Sequence, residues 1–394
     1  MRFTLALCAA LLFVATLGAD TFLILPFFNA SNTPNLDWVG ESLSETIREA
    51  LSTQGLMALD RDDRGEAYRR LGIRPGAHPT RATVLKIGQA VDADQVIYGD
   101  FELLPPAPGV TTTRGSLKIT AHVLDLRRMK QGPEFAEIGA LEDLAAEQAH
   151  LAWRTMQFLA PKSAPSETDF RRRWPPVRVE AIESFIRGLL SANPEQKYKL
   201  FAQAIRLEPA FSDAAFQLGM LTYAKKDYRA AADWFQKVAH ADVHFYQASF
   251  FLGICRFYSG DFAGAQTAFE TVALGVPLNE VFNNIGAAQS RRNQPAALEN
   301  FTKALEGDSS DPAYHFNTGY ALWKAGRLPE AADRFRAVLD RVPQDNEATI
   351  MLGRCLRTPG PRSADPKNES LERLKTNFEE SAYRQLKAAL QPEK

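Results

Sequence analysis

From residue 178 onward the chain repeats itself, and this constrains the fold more than any other feature. The segments FQLGMLTYAKKDYRAAADWFQKV (216–238), FLGICRFYSGDFAGAQTAFETV (251–272) and FNTGYALWKAGRLPEAADRFRAV (316–338) share one spacing. Each has a glycine after its first apolar turn, at Gly219, Gly253 and Gly319. Twelve residues later stands Ala231, Ala265 or Ala331, and four beyond that Phe235, Phe269 or Phe335. Val238, Val272 and Val338 follow, and Pro277 and Pro343 close two of the units. Small residues at fixed points let two helices approach closely, and the aromatic fills the gap that remains. The proline ends the second helix because its ring cannot continue the hydrogen-bond ladder.

The same spacing recurs at 279–312, with Ile285, Gly286, Phe301 and Ala304 and one residue missing around Pro295. It recurs at 178–211, with Gly188, Phe201, Ala204 and Pro209, and begins again at 346–357 with Leu352 and Gly353. There the turn is replaced by TPGPRSADPKNES, and a charged helix is expected near 370–390. This pattern resembles the tetratricopeptide repeat, a helix–turn–helix unit of about 34 residues. The resemblance implies an all-α superhelical solenoid over 178–391, divided as 178–211, 212–245, 246–278, 279–311, 312–345 and a degenerate cap, 346–391. In that family the first helix of each unit lines a concave groove.

Carried onto this sequence, the groove positions are Phe216, Met220, Tyr223, Phe250, Ile254, Phe257, Tyr258, Asn283, Ser290, Arg291, Phe316, Tyr320, Trp323, Lys324, Arg354 and Arg357. Aromatics dominate one end and cations collect toward the other, which suits an extended peptide with apolar anchors and an acidic end. The alternative is that several of these aromatics pack between helices and meet no ligand. Of the Lys and Asn set that a carboxylate-clamp member of the family uses, Asn283 fits one position and aromatics occupy several others.

Residues 20–160 have a different rhythm. TFLILPFF (21–28) is a continuous apolar run, expected as a buried strand. Trp38, Leu43, Ile47 and Leu51 follow at helical spacing, closed by Gly55. A short strand at 56–61, a helix near 63–71 and a helix capped by Thr80 come next. Strands are expected at 94–104, 116–126 and 134–141, the second alternating Leu117, Ile119, Ala121 and Val123 with polar neighbours. A helix carrying Leu144, Leu151 and Phe158 closes the region. The order LPFFNAS, WVGESLSETIREAL, ADQVIYGDFE, LKITAHVLDL resembles the amino-terminal domain of TolB and its CsgG- and FlgO-like relatives. That resemblance implies an α/β domain with a mixed sheet and a place among bacterial envelope assemblies. No blade-like repeats follow, no mature N-terminal Cys is available for lipidation, and the 105–115 loop is too short for membrane-spanning strands.

Between the two regions, 161–177 reads as a linker, with Arg171–Arg173 beside Trp174. A solvated linker with Trp174 docked on one domain is favoured there over an anionic contact. At the start, Arg2 precedes an apolar run, Leu5–Leu17, and the small residues Gly18 and Ala19. This is the plan of a secretory signal peptide over residues 1–19, too short to span a membrane comfortably. It implies a periplasmic or secreted protein, with membrane association at most peripheral. Cys255 and Cys355 then remain, three repeats apart and beyond disulfide reach, as small buried apolar residues.

Lys plus Arg number 46 and Asp plus Glu 47, so the net charge of −1 offers no electrostatic reason for a nucleic-acid partner. No phosphate-cradling loop, nucleophile elbow or paired cysteines at metal spacing occur. His240, Asp242 and His244 cluster between two repeats and read as a solvated turn rather than a metal site. No catalytic, cofactor-binding or metal residues are therefore assigned. The expectation is a non-catalytic, exported envelope adaptor that binds other proteins through the repeat groove. The alternative is an α/β domain that senses a small ligand, with the repeats as its output.

Overall fold

The computed structural model describes residues 20–106, 114–357 and 372–389, apart from Asn32, Pro34 and Pro75. The signal segment 1–19, most of the 105–115 loop and residues 358–371 lie outside the described residues.

The amino-terminal region is a mixed sheet with helices on both faces. Its strands are β1 (Thr21–Ile24), β2 (Phe28–Asn29), β3 (Met57–Ala58), β4 (Gln95–Leu104), β5 (Ser116–Asp125) and β6 (Lys130–Ala140). The order is β3-β1-β4-β5-β6, with β2 also on β4. β1 runs parallel to β3 and β4, whereas β4, β5 and β6 form an antiparallel meander. The apolar run 21–28 is split because Pro26 has no N–H for a ladder, so β1 ends at Ile24 and β2 resumes against Asp100 and Phe101. Alternation sends Phe22, Ile24, Ile97, Phe101 and Leu117, Ile119, Ala121 and Val123 of β5 to one face. There they meet α1 (Asp37–Thr53) and α4 (Leu144–Leu159) through Val39, Leu43, Ile47, Leu151 and Met156. Leu23, Leu25, Val96 and Tyr98 face the other side, covered by α2 (Arg61–Leu71) and α3 (Arg81–Ala90). Thr80 caps α3 as expected, its Oγ1 accepting from Thr83 N–H at 3.2 Å.

Between α1 and α2 lies a buried ion pair. Arg64 Nη2 is 2.5 Å from Glu41 Oε1, and Arg61 Nε is 2.9 Å from the same oxygen. Arg64 also donates to the Ile24 carbonyl and to Ser44 Oγ, so the buried guanidinium fixes α2 to β1 and α1.

The core of this region does not stop at residue 160. The short helix α5 (Glu167–Arg173) inserts Phe170, which is fully buried and stacks on Trp174 at 5.7 Å. Arg171 and Arg172 of the basic cluster pair with Glu167 and Asp169 on the same helix. Val179, Ile182 and Ile186 of the next helix, α6 (Val179–Leu190), complete the same hydrophobic cluster. The first repeat helix is thus shared between both parts of the molecule.

The remaining helices form antiparallel pairs. They are α6 with α7 (Pro194–Leu207), α8 (Ser212–Ala224) with α9 (Tyr228–Phe235), and α10 (Phe245–Tyr258) with α11 (Phe262–Gly275). Then come α12 (Asn279–Arg291) with α13 (Ala297–Gly307), α14 (Pro312–Lys324) with α15 (Leu328–Arg341), and α16 (Asn346–Arg357). In each pair the repeat glycine faces the repeat phenylalanine. A Cβ on Gly188, Gly219 or Gly253 would lie 2.5–2.6 Å from a ring carbon of Phe201, Phe235 or Phe269. This is the close approach that the sequence spacing encodes. The final helix, α17 (Glu380–Ala389), is shorter than the expected 370–390 helix. Residues 372–379 ahead of it form neither helix nor strand, bend at Thr376, and lie in the groove, held at Arg373 and Lys375.

Candidate functional site

The inner helices α8, α10, α12, α14 and α16 present a polar track flanked by aromatics, and residues 372–378 lie along it. At its centre are three asparagines. Asn283 and Asn284 sit side by side on α12, and Asn317 sits on α14 at the position equivalent to Asn283; all three are buried. Nδ2 of Asn283 and Nδ2 of Asn317 each donate to the Arg373 carbonyl at 2.9 Å. Asn317 Oδ1 accepts the Arg373 N–H at 2.8 Å. Asn284 repeats this two-point grip on Lys375, taking its N–H and donating to its carbonyl, both at 2.8 Å. Both main-chain groups of alternate residues, Arg373 and Lys375, are therefore held by side-chain amides, as a neighbouring strand would hold them. With its main-chain groups satisfied this way, the segment has no need of helical bonds.

Side-chain contacts then distinguish the positions along the track. Glu372, 7% exposed, is held by Ser290 Oγ at 2.5 Å and by Arg291 Nε at 2.6 Å. Lys324 Nζ braces this corner through the Ser290 carbonyl at 2.8 Å. Arg373 lays its guanidinium 3.7 Å over the Phe316 ring and pairs with Asp345 at 2.7 Å and Glu347 at 3.2 Å. The hydrogen bond from Arg373, reinforced by its charge, holds the Asp345 carboxyl below its ordinary range. Lys375 pairs with Asp311 and stands 4.8 Å over the Tyr314 ring. Phe378 meets Phe250 edge-on at 5.1 Å and Tyr383 at 4.9 Å.

The expected groove residues do not share one environment. Asn283, Ser290, Arg291, Lys324, Phe316 and Phe250 all converge on this segment. Ile254, Phe257, Tyr320 and Trp323 are buried in the helix array, with Tyr320 stacked on Trp323 at 5.8 Å. Arg354 lies 6.0 Å over Trp323, at the edge of that cluster. Phe216 and Met220 line a cavity of about 560 Å³ that Phe378 at the end of the segment also lines, together with Arg48, Asp60, His244 and Arg384. Tyr223 packs on Phe251 at 5.2 Å, and burial pushes its hydroxyl up to about 12. Tyr258 is 49% exposed and stacks on Tyr228. Arg357 closes α16, and its side chain lies outside the described residues.

Sequence reasoning passed over Asn284, Asn317 and the segment itself. The signal for Asn317 was present, since a second asparagine recurs 34 residues after Asn283. Of the His240, Asp242 and His244 group, His244 stacks flat on Phe216 at 4.4 Å and bonds Gln247 at 3.0 Å. Among the described residues no group of three or more His, Cys, Asp or Glu side chains could hold a metal ion. Cys255 is buried, with burial pushing its thiol up to about 12, and Cys355 is half-buried; both are free thiols. Among the described residues no helix is long and apolar enough to cross a membrane.

Where the α/β region meets the repeats, Glu45, Arg48 and Glu49 of α1 face Asp213 of α8 and Asp242. Arg48 pairs with Glu45 at 2.9 Å. Burial, with Glu49 and Asp242 nearby, holds the Asp213 carboxyl well above its ordinary range, against the opposing pull of Arg48.

Residues 199–243, 287–346 and 321–358 match the tetratricopeptide-repeat family, so this part of the chain is built of tetratricopeptide repeats. Among solved structures, the chain is similar to YrrB, described as a TPR protein with an unusual peptide-binding site. The identity is 22% over 39% of this chain and 81% of that one, at a TM-score of 0.35. MamA from Desulfovibrio magneticus RS-1 is 22% identical over 41% of this chain and 92% of its own, at 0.37. The LpoB C-terminal domain from Salmonella enterica is 17% identical over 31% of this chain and 82% of its own, at 0.25. No curated protein sequence matches the chain.

Proposed function

We propose that this protein is a non-catalytic adaptor whose repeat groove holds an extended segment of a partner protein. The observation that carries this reading is the two-point grip of Asn317 and Asn284 on the main chain of alternate residues, Arg373 and Lys375, with Asn283 reinforcing the Arg373 carbonyl. Amides that pair with main chain accept any extended peptide, while the flanking side chains select among them. In this reading the α/β region, with its TolB-like order of elements, docks a second partner, and the protein works in the bacterial envelope, a reading supported by the leader-like character of residues 1–19. Membrane contact is then at most peripheral.

The test is photo-crosslinking. A benzophenone amino acid placed at Met220 or Tyr258 of the full chain should capture a foreign protein through one defined extended segment. Asn283→Ala should remove that adduct. A foreign adduct untouched by Asn283→Ala, or no foreign adduct even from a folded chain carrying Arg373→Ala and Phe378→Ala, would refute the groove reading.

A further inference from the structure

We propose that residues 372–378 are an internal stand-in for the partner. The natural ligand, on this view, is an extended segment of the same chemistry that displaces them. This rests on the groove reading and adds to it a sequence code and a competitor. The code follows from the contacts in chain order: Glu372, Arg373, Leu374, Lys375, Thr376, Asn377, Phe378. A carboxylate enters the corner formed by Ser290 and Arg291. A cation one residue later lies between the Phe316 face and Asp345, and a second cation two residues on reaches Asp311 and Tyr314. An aromatic three residues further fills the space beside Phe250. Leu374 is partly buried against the groove, whereas Thr376 and Asn377 are exposed and leave those positions unrestricted. The partner segment is therefore acidic–basic–apolar–basic–any–any–aromatic.

Two features mark the segment as a ligand rather than a fixed part of the repeat fold. Its main chain is bonded by side-chain amides that would serve any other extended peptide equally. The glycine–phenylalanine contacts that close the helix pairs beneath do not involve the segment, whose Leu374 and Phe378 pack on the inner face of the finished array. What favours the internal occupant is its covalent link, because a tethered segment acts at an effective concentration of about millimolar. A partner competes against that advantage and gains the groove through better contacts or high local concentration.

The experiment uses the full chain with a protease site inserted between Ser363 and Ala364. The probe is a fluorescein-labelled synthetic peptide of residues 369–389, followed by anisotropy at submicromolar protein. The uncut chain should bind the probe at least ~100-fold more weakly than the cut chain, because cutting removes the tether's effective concentration. An uncut Arg373→Ala, Phe378→Ala chain should bind it more tightly than the uncut parent, provided its melting curve shows it folded. A peptide with Glu372, Arg373, Lys375 and Phe378 permuted should fail on both. Equal binding to cut and uncut chain would overturn internal occupancy and leave the groove reading standing. No binding to either the cut chain or the loosened variant would overturn both. Concentration-dependent dimerisation of the uncut chain, abolished by Phe378→Ala, would assign the segment to a second copy and overturn the internal assignment.

Discussion

The Asn317 side-chain amide donates to Oδ1 of Asn283 across 2.7 Å, joining equivalent positions in two successive repeats, and both residues donate to the Arg373 carbonyl. Each asparagine thus orients the next, and the buried amides are set for a peptide unit before one arrives. Removing a member leaves buried groups without partners, which costs about 1–3 kcal/mol. Asn317→Ala should therefore speed hydrogen exchange at the Arg373 and Lys375 amides by about tenfold or more, with little change in the α6–α9 helices. Unchanged exchange at those two amides would contradict the assigned role.

The Glu41–Arg64 pair belongs to a different class of interaction, since both groups are almost completely buried. Arg64→Ala leaves Glu41 with only the more exposed Arg61 and should destabilise the α/β region by about 3–5 kcal/mol in urea unfolding. The double replacement Glu41→Leu, Arg64→Met removes both charges and should recover much of that loss. A double variant no more stable than Arg64→Ala would argue against the electrostatic explanation.

The glycine–phenylalanine contacts predict an order of effects. Gly219→Ala places a Cβ 2.5 Å from the Phe235 ring, whereas the nearest atom at Gly319 is 3.1 Å away. Gly219→Ala should cost about 1–3 kcal/mol, the usual range for overpacking, and Gly319→Ala clearly less. Denaturant midpoints of the two variants decide the matter, and a reversed order would contradict the geometry.

Asp213 sets a pH dependence where the two regions meet. Its carboxyl is raised in the folded protein, so its contribution to stability is greatest below the ordinary carboxylate range near 3.8 and declines as pH rises toward the folded value. Asp213→Asn should raise the melting temperature at pH 7 by removing the cost of burying a carboxylate and its repulsion from Glu49 and Asp242. The advantage should vanish below about pH 4, where the parent carboxyl is protonated in both states. Melting curves across this range test it; a variant less stable at pH 7 would show that the attraction of Arg48 outweighs burial and repulsion.

Asp345 has the opposite sign. Its carboxyl is depressed by the hydrogen bond from Arg373, so its support for the docked segment is complete above the ordinary range near 3.8 and is lost as pH falls through the folded value. The cut chain should release the labelled peptide as the solution is acidified below that range, and Asp345→Asn should bind it more weakly at pH 7 with a flatter acid limb.

The repeats were legible because they are written in local chemistry. A glycine, an alanine and a phenylalanine at fixed separations specify how one helix meets the next, and Gly219 with Phe235 does so without reference to the rest of the chain. The alternation of Leu117, Ile119, Ala121 and Val123 likewise identifies a strand with one buried face. Pro26 shows where the pattern was incomplete: the apolar run across it continues through residue 28, but the missing N–H divides it into two strands. Asn283 was recognisable as a groove residue from its repeat position, whereas Phe257, Tyr320 and Trp323 at similar positions are taken into the packing between helices. Repeat position determines which face a residue occupies, and neighbouring bulk decides whether it remains accessible.

The sequence by itself thus determined the helix pairing, the strand composition and the polar-aromatic character of the inner face, all governed by contacts within a repeat or a strand. Only the tertiary structure decided what lies in the groove. The charged pattern after residue 370 is compatible with one continuous helix, yet residues 372–378 are not helical, because amides some 90 positions earlier, on Asn283 and Asn284, take up main-chain bonds of Arg373 and Lys375. Such a pairing leaves no periodicity in the segment itself, since its register is set by the spacing of side chains on two other helices.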